Sequence, residues 1–108
     1  MTPTDLANFL SNQADLPRTT TLFRQPGLRT LLLHLNAGER IPEHQTRGAI
    51  VIHCLDGEGA FFVGNDRAEL RPGSLLSVSP NAAHSVSAAE DQQLLLLVTV
   101  SEQIAAER

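Results

Sequence analysis

The fold is decided by two stretches of sequence: residues 38–59 read GERIPEHQTRGAIVIHCLDGEG, and residues 71–86 read RPGSLLSVSPNAAHSV. Both stretches set glycine and proline around short runs of aliphatic and β-branched residues, which is typical of strands joined by tight turns. Comparable runs lie before and after them, and no helical periodicity is found between residues 18 and 100. The pattern predicts an all-β sandwich or barrel.

Eight such runs are predicted to form strands. They are residues 19–23, 28–35, 49–55, 59–63, 68–70, 75–78, 84–88 and 94–100. At the N-terminus, Thr2 is predicted to cap a short helix over residues 3–11, with Pro3 in the first helical position and Asp5 three residues after the cap. Residues 101–107 are expected to form one helical turn or to fray.

Composition and charge limit the possible partners. The chain has 108 residues, which suits one domain, and a formal net charge of −4. All eight basic residues are arginines scattered along the chain, so nucleic acid and anionic membranes are not expected as partners. The one cysteine forms no internal disulfide, and no signal peptide is recognised at the N-terminus. We expect a soluble, cytoplasmic protein.

The two stretches resemble the two signature motifs of the cupin superfamily, in its small single-domain, RmlC-like form. The residues that carry the resemblance include Gly38, His44, Gly57, Gly73 and His84, and the similarity covers about residues 28–100. It implies a double-stranded β-helix, or jelly-roll, barrel with a short N-terminal helix. The whole chain, residues 1–108, would be a single cupin domain with a barrel core over about residues 18–100.

The resemblance also identifies the site residues. Cupins commonly hold a metal ion with His-x-His and Glu from the first motif and His from the second. In this chain those four positions are His44, Thr46, Ile50 and His84, so two imidazoles remain and the carboxylate is replaced by an apolar residue. A first-row divalent ion usually takes three or more protein ligands. We therefore expect no cofactor, or a divalent transition metal held weakly by His44 and His84.

Three functions stay open on this basis, and so does the question of whether the protein is an enzyme. The first is a barrel that binds a small organic molecule, neutral or anionic, in a pocket lined by the four site residues. The alternative is a metal-dependent cupin enzyme (an oxygenase, isomerase or lyase) that uses His44 and His84 as ligands. The third is a partner module that uses its outer sheet.

The remaining histidines and the cysteine are assigned by strand alternation. His53 is predicted to point away from the pocket, toward the outer face or a subunit contact, unless a bulge changes the register. His34 is predicted to be exposed or interfacial, because Leu31, Leu33 and Leu35 face the core. Cys54 is predicted to be buried and unreactive. Apolar strand segments at residues 20–23, 31–33 and 94–98 favour a homodimer.

Overall fold

Two antiparallel sheets pack face to face in the computed structural model, which describes residues 1–102. One sheet has five strands in the order β1-β2-β9-β4-β7, and the other has four in the order β3-β8-β5-β6. The strands are β1 (Thr19–Gln25), β2 (Leu28–Leu35), β3 (Arg40–His44), β4 (Ile50–Gly57), β5 (Gly59–Val63), β6 (Asp66–Leu70), β7 (Leu75–Val78), β8 (His84–Ala88) and β9 (Leu94–Ser101). This confirms the all-β jelly-roll prediction. Residues 103–108, and with them most of the predicted C-terminal turn, lie outside the described residues.

The core lies between the sheets and follows from alternation along the long strands. In β9, Leu94, Leu96, Val98 and Val100 are buried and belong to the core, and their partners in β2 and β4 complete it. Cross-strand pairs of aliphatic residues stabilise such a sheet, and burial of each large side chain contributes about 1.5–3 kcal/mol. One apolar layer therefore joins both sheets.

Strand β3 was not predicted, although the motif that contains it was recognised. It carries Pro42, and all of its residues except Ile41 are exposed, so the apolar alternation that marks a strand is lacking. Proline is tolerated there because β3 is an edge strand of the four-stranded sheet and has only β8 as a partner.

The N-terminal helix is shorter than predicted and begins later. Helix α1 spans Leu6–Leu10, and its N-cap is Asp5, whose Oδ1 accepts the backbone N–H of Ala7 at 3.0 Å. Thr2 and Pro3 therefore lie before the helix. Aspartate is among the strongest N-capping residues, so the helix begins at the carboxylate rather than at the threonine.

The N-terminal segment is joined to the outer face of the five-stranded sheet. After α1 comes a 3₁₀ helix at Gln13–Asp15, and Gln13 donates a hydrogen bond of 2.6 Å to Asp56 Oδ2. Further on, Arg18 O accepts the backbone N–H of His34 at 2.8 Å. Leu32 and Leu95 are buried without belonging to the central core, as expected if this segment covers their face. Within residues 1–102, no helix has the length and apolar character needed to cross a bilayer.

Candidate functional site

A cavity of about 360 Å³ lies between the two sheets, and all four sequence-predicted site residues line it. His44 and His84 come from the four-stranded sheet, Ile50 from the first residue of β4, and Thr46 from the loop between β3 and β4. Most of the remaining wall is aliphatic, from β2, β4 and β9. The register of the motifs thus places these side chains around one space.

The two histidines are a directly opposed cross-strand pair. His44 pairs with His84 between β3 and β8, and their ring centroids lie 4.3 Å apart with an interplanar angle of 61°. His84 also stacks on Phe61, with centroids 5.8 Å apart and ring planes 12° apart. His84 is buried and His44 is exposed, so the pair extends from the interior to the solvent.

Both rings are oriented by backbone carbonyl oxygens. His44 Nδ1 lies 3.0 Å from Pro42 O, and His84 Nδ1 lies 2.8 Å from Ala82 O. A carbonyl oxygen only accepts, so each Nδ1 must carry the proton and donate it. In the neutral rings each Nε2 then keeps its lone pair, which can accept a hydrogen bond or ligate a metal.

Thr46 and Ile50 occupy the other two positions of the family's ligand set. Strand β3 ends at His44 after a register irregularity, so Thr46 lies in the following loop and not on the strand itself, and its backbone O accepts the N–H of Asn81 at 2.7 Å. Ile50 is only 5% exposed and is part of the apolar core. The position of the carboxylate is therefore filled by a packed aliphatic side chain.

This donor set does not fit a tightly bound divalent metal. Among residues 1–102, no three side chains of His, Cys, Asp or Glu are grouped so that they could hold an ion. Beside the imidazole pair the described cavity lining offers only neutral oxygens, such as the Thr46 hydroxyl, and it lacks the anionic ligand that offsets the charge of the ion.

The other histidines lie away from the cavity. His53 is half-buried, pairs with Leu75 and Leu97, and is not among the residues that line the cavity. His34 also faces away from the core, but the prediction that it is exposed is wrong. It is 3% exposed, and its Nε2 lies 2.7 Å from Gln93 Oε1. His34 is buried because Gln93, which lies 59 residues further along the chain, packs against its ring on the outer face of the five-stranded sheet.

Cys54 is fully buried in the core, as predicted. Burial raises the pKa of its thiol to about 11, against a smaller lowering by a backbone hydrogen bond at Asp56. Its Sγ donates to the carbonyl oxygens of Asp56 and Gly57, each at 3.7 Å. Such a thiol is not a nucleophile near neutral pH.

Several lining residues were missed, and Arg29 is the most consequential of them. It lines the cavity together with Thr19 and Phe61. The signal was present in the sequence: Arg29 alternates with Leu31 and Leu33 on β2, so a residue inferred to be on the core face carries a guanidinium. An inward charge at the start of a strand marks the rim of a barrel, where a charged group can still reach water.

Comparison with known proteins agrees with the architecture. The sequence matches the Cupin domain family over residues 31–100. The chain belongs to the cupin superfamily. No match was found among curated proteins.

Three solved structures that resemble this cupin come from three different organisms. A cupin protein from Bacteroides fragilis is 25% identical, with a TM-score of 0.68, and the match covers 77% of this chain and 75% of that one. KdgF from Halomonas sp. is 15% identical, with a TM-score of 0.70 and coverage of 79% and 78%. The DMSP lyase DddQ from Ruegeria pomeroyi is 20% identical, with a TM-score of 0.73, and the match covers 82% of this chain and 48% of the lyase. These similarities show the shared fold.

Proposed function

We propose that this cupin is a binding protein for a small organic molecule, which it holds in the cavity between its sheets without a tightly bound metal. The observation that carries the proposal is the composition of that cavity. Its volume of about 360 Å³ lies in the range of small-molecule sites, its walls are mostly aliphatic, and a few polar groups stand at defined positions.

The polar groups suit the recognition of a ligand rather than its conversion. Each neutral imidazole of His44 and His84 offers an Nε2 lone pair to a donor, and each ring is held in place by its Nδ1–H bond to a carbonyl. Cys54, the only thiol, is buried and protonated, so it supplies no nucleophile. A pocket with fixed acceptors and apolar walls orients an amphipathic molecule.

A second candidate is the metal-dependent enzyme. It is favoured by the orientation of both Nδ1–H groups, because metal-ligating histidines usually donate their other N–H to a carbonyl or carboxylate. The lyase among the structural relatives shows that this barrel supports catalysis elsewhere. The enzyme is disfavoured by Ile50, because this buried aliphatic residue occupies the position at which cupins carry the metal-binding carboxylate.

The test compares one cavity-filling substitution with a matched control on the same strand. Ile50→Trp directs an indole into the cavity, whereas Val51→Trp directs it outward from a residue that is already 45% exposed. With 1-octanol as an uncharged probe, we expect chemical-shift changes in the cavity residues of the wild type and of Val51→Trp, and none in Ile50→Trp. Binding that is unaffected by Ile50→Trp would contradict the proposal.

Elemental analysis of the untagged protein separates the two candidates. The binding proposal expects far less than one equivalent of any transition metal per chain after dialysis. One equivalent that is lost on His84→Ala would favour the enzyme instead.

A further inference from the structure

Arg29 is the one permanently charged side chain among the described residues that line the cavity, whose other polar groups are uncharged side chains and the two histidines. Arg29 is the first inward residue of β2, and it pairs with Val100, which also lines the cavity. Ile50 pairs with Val100 from the other side, so these three residues form one row across the five-stranded sheet. Leu31, Val98 and Ile52 form the next row inward. The charge therefore lies at one end of a cavity that becomes apolar with depth.

The guanidinium is incompletely satisfied by the described residues. Arg29 Nε lies 3.3 Å from Glu102 Oε2, which is ion-pair distance, but the direction of the N–H is not that of a hydrogen bond. The Nε atom is buried and has no acceptor in hydrogen-bonding geometry within residues 1–102. A buried N–H without an acceptor is costly, and an anion that reached it would remove that cost.

The local charge balance points in the same direction. Arg24 lies directly opposite Arg29 on β1, and its Nε is 3.7 Å from the other oxygen of Glu102. Like charges on directly opposed residues are unfavourable, and one carboxylate between two guanidiniums leaves one positive charge. Counted over residues 1–102, the mouth of the cavity is thus locally cationic on a chain whose formal net charge is −4.

We propose that the cavity takes a carboxylate with an unbranched aliphatic body, whose head group binds Arg29 and whose chain extends between the aliphatic rows. A planar guanidinium matches a carboxylate with two parallel hydrogen bonds, and the walls behind it offer only dispersion and burial to the chain. This inference rests on the proposed function and names the chemical class of its ligand.

The experiment uses octanoate, 1-octanol and octylammonium as probes that share a chain and differ in the head group. The wild type binds octanoate at least about tenfold more tightly than 1-octanol, because a hydrogen-bonded charge pair at a partly screened site is worth about one decade in affinity. Octylammonium binds more weakly than 1-octanol. Titration calorimetry, with chemical-shift mapping to locate the chain, gives the three affinities.

Variants at the mouth assign the preference to one side chain. Arg29→Gln removes the difference between octanoate and 1-octanol and leaves the affinity for 1-octanol unchanged. Arg71→Gln is the control, because Arg71 is exposed, is not among the cavity-lining residues and has no ion pair with Glu102, and it changes octanoate affinity by at most about twofold. Glu102→Gln removes the competing carboxylate and raises octanoate affinity about threefold or more, a gain that misfolding cannot produce.

The outcomes distinguish the two proposals. If neither octanoate nor 1-octanol binds in the cavity, the proposed function itself fails. If 1-octanol binds as tightly as octanoate, or if Arg29→Gln keeps the preference, the cavity binds small molecules but the carboxylate assignment is wrong.

Discussion

Restoring the two missing ligand positions should convert this barrel into a metal site. The substitutions are Thr46→His and Ile50→Glu, and the two native histidines already have their Nδ1–H groups bound to carbonyl oxygens. The new imidazole and carboxylate would complete a set of three nitrogens and one oxygen, which suits Zn²⁺ or Ni²⁺.

The expected cost and gain follow from the burial of Ile50. Its side chain is 5% exposed, so its removal from the core costs about 2 kcal/mol, and burial of a carboxylate adds about 1–3 kcal/mol. The metal-free double variant should therefore be markedly less stable than the wild type. An ion present at a hundred times its dissociation constant returns about 2.7 kcal/mol. In a domain of this size that raises the Tm by about 10 °C.

The assay is thermal unfolding with and without the metal, reversed by a chelator. Thr46→His combined with Val51→Glu is the control, because Val51 is 45% exposed on the opposite face and cannot contribute a ligand. The control should take up no metal and show no shift. If the double variant folds and its Tm does not respond to Zn²⁺ or Ni²⁺, residues 46 and 50 do not converge on the histidine pair, and the placement of the site is wrong.

Three further predictions concern parts of the molecule outside the cavity. Cys54, with a pKa of about 11, should resist thiol reagents near neutral pH in the native protein and react fully after unfolding; rapid native labelling would contradict its burial. His34→Ala should lower the free energy of unfolding by about 2 kcal/mol, because the substitution removes a buried ring and its 2.7 Å bond to Gln93. Chemical denaturation measures this, and His53→Ala, at a half-buried site, should cost less. We also propose a homodimer through the outer face of the five-stranded sheet, where Val51 is 45% and Leu75 is 70% exposed. Light scattering should give twice the chain mass for the wild type and the single mass for Leu75→Glu, and a monomeric wild type would refute it.

The parts of the fold that could be predicted from the sequence are those in which local signals agree. Strands β2 and β5 have the predicted bounds, because each is an apolar run between turn residues. Strand β3 lacked that agreement, since Pro42 and a mostly exposed surface hide it. The burial of His34 involves Gln93, 59 residues further along the chain, whose Oε1 lies 2.7 Å from His34 Nε2, and alternation cannot reveal such a non-local contact.

The candidate site was also only partly predictable from the sequence. Motif spacing was enough to place His44, His84, Thr46 and Ile50 around one space. The sequence could not supply the volume of the cavity or the orientation of the imidazoles, because both depend on how the two sheets approach each other. Alternation along β2 was enough to predict that Arg29 points inward, but it does not show that the side chain reaches a cavity.

The isoleucine at position 50 and the charge of Arg29 are connected through the sheet. Ile50 and Arg29 both pair with Val100, so they stand two strands apart, about 10 Å, in one row at the mouth of the cavity. A glutamate in place of Ile50 would draw the potential of that row toward neutrality, and the mouth would lose its preference for an anion. With isoleucine there, Glu102 is the one carboxylate within residues 1–102 that pairs with Arg29, and the same mouth favours an anion. Metal-free Ile50→Glu should therefore weaken octanoate binding even though Arg29 is unchanged, whereas Ile50→Gln, of similar size and without charge, should keep the preference for octanoate over 1-octanol. If Ile50→Glu and Ile50→Gln bind octanoate equally in calorimetry, position 50 has no electrostatic link to Arg29 and this reasoning is wrong.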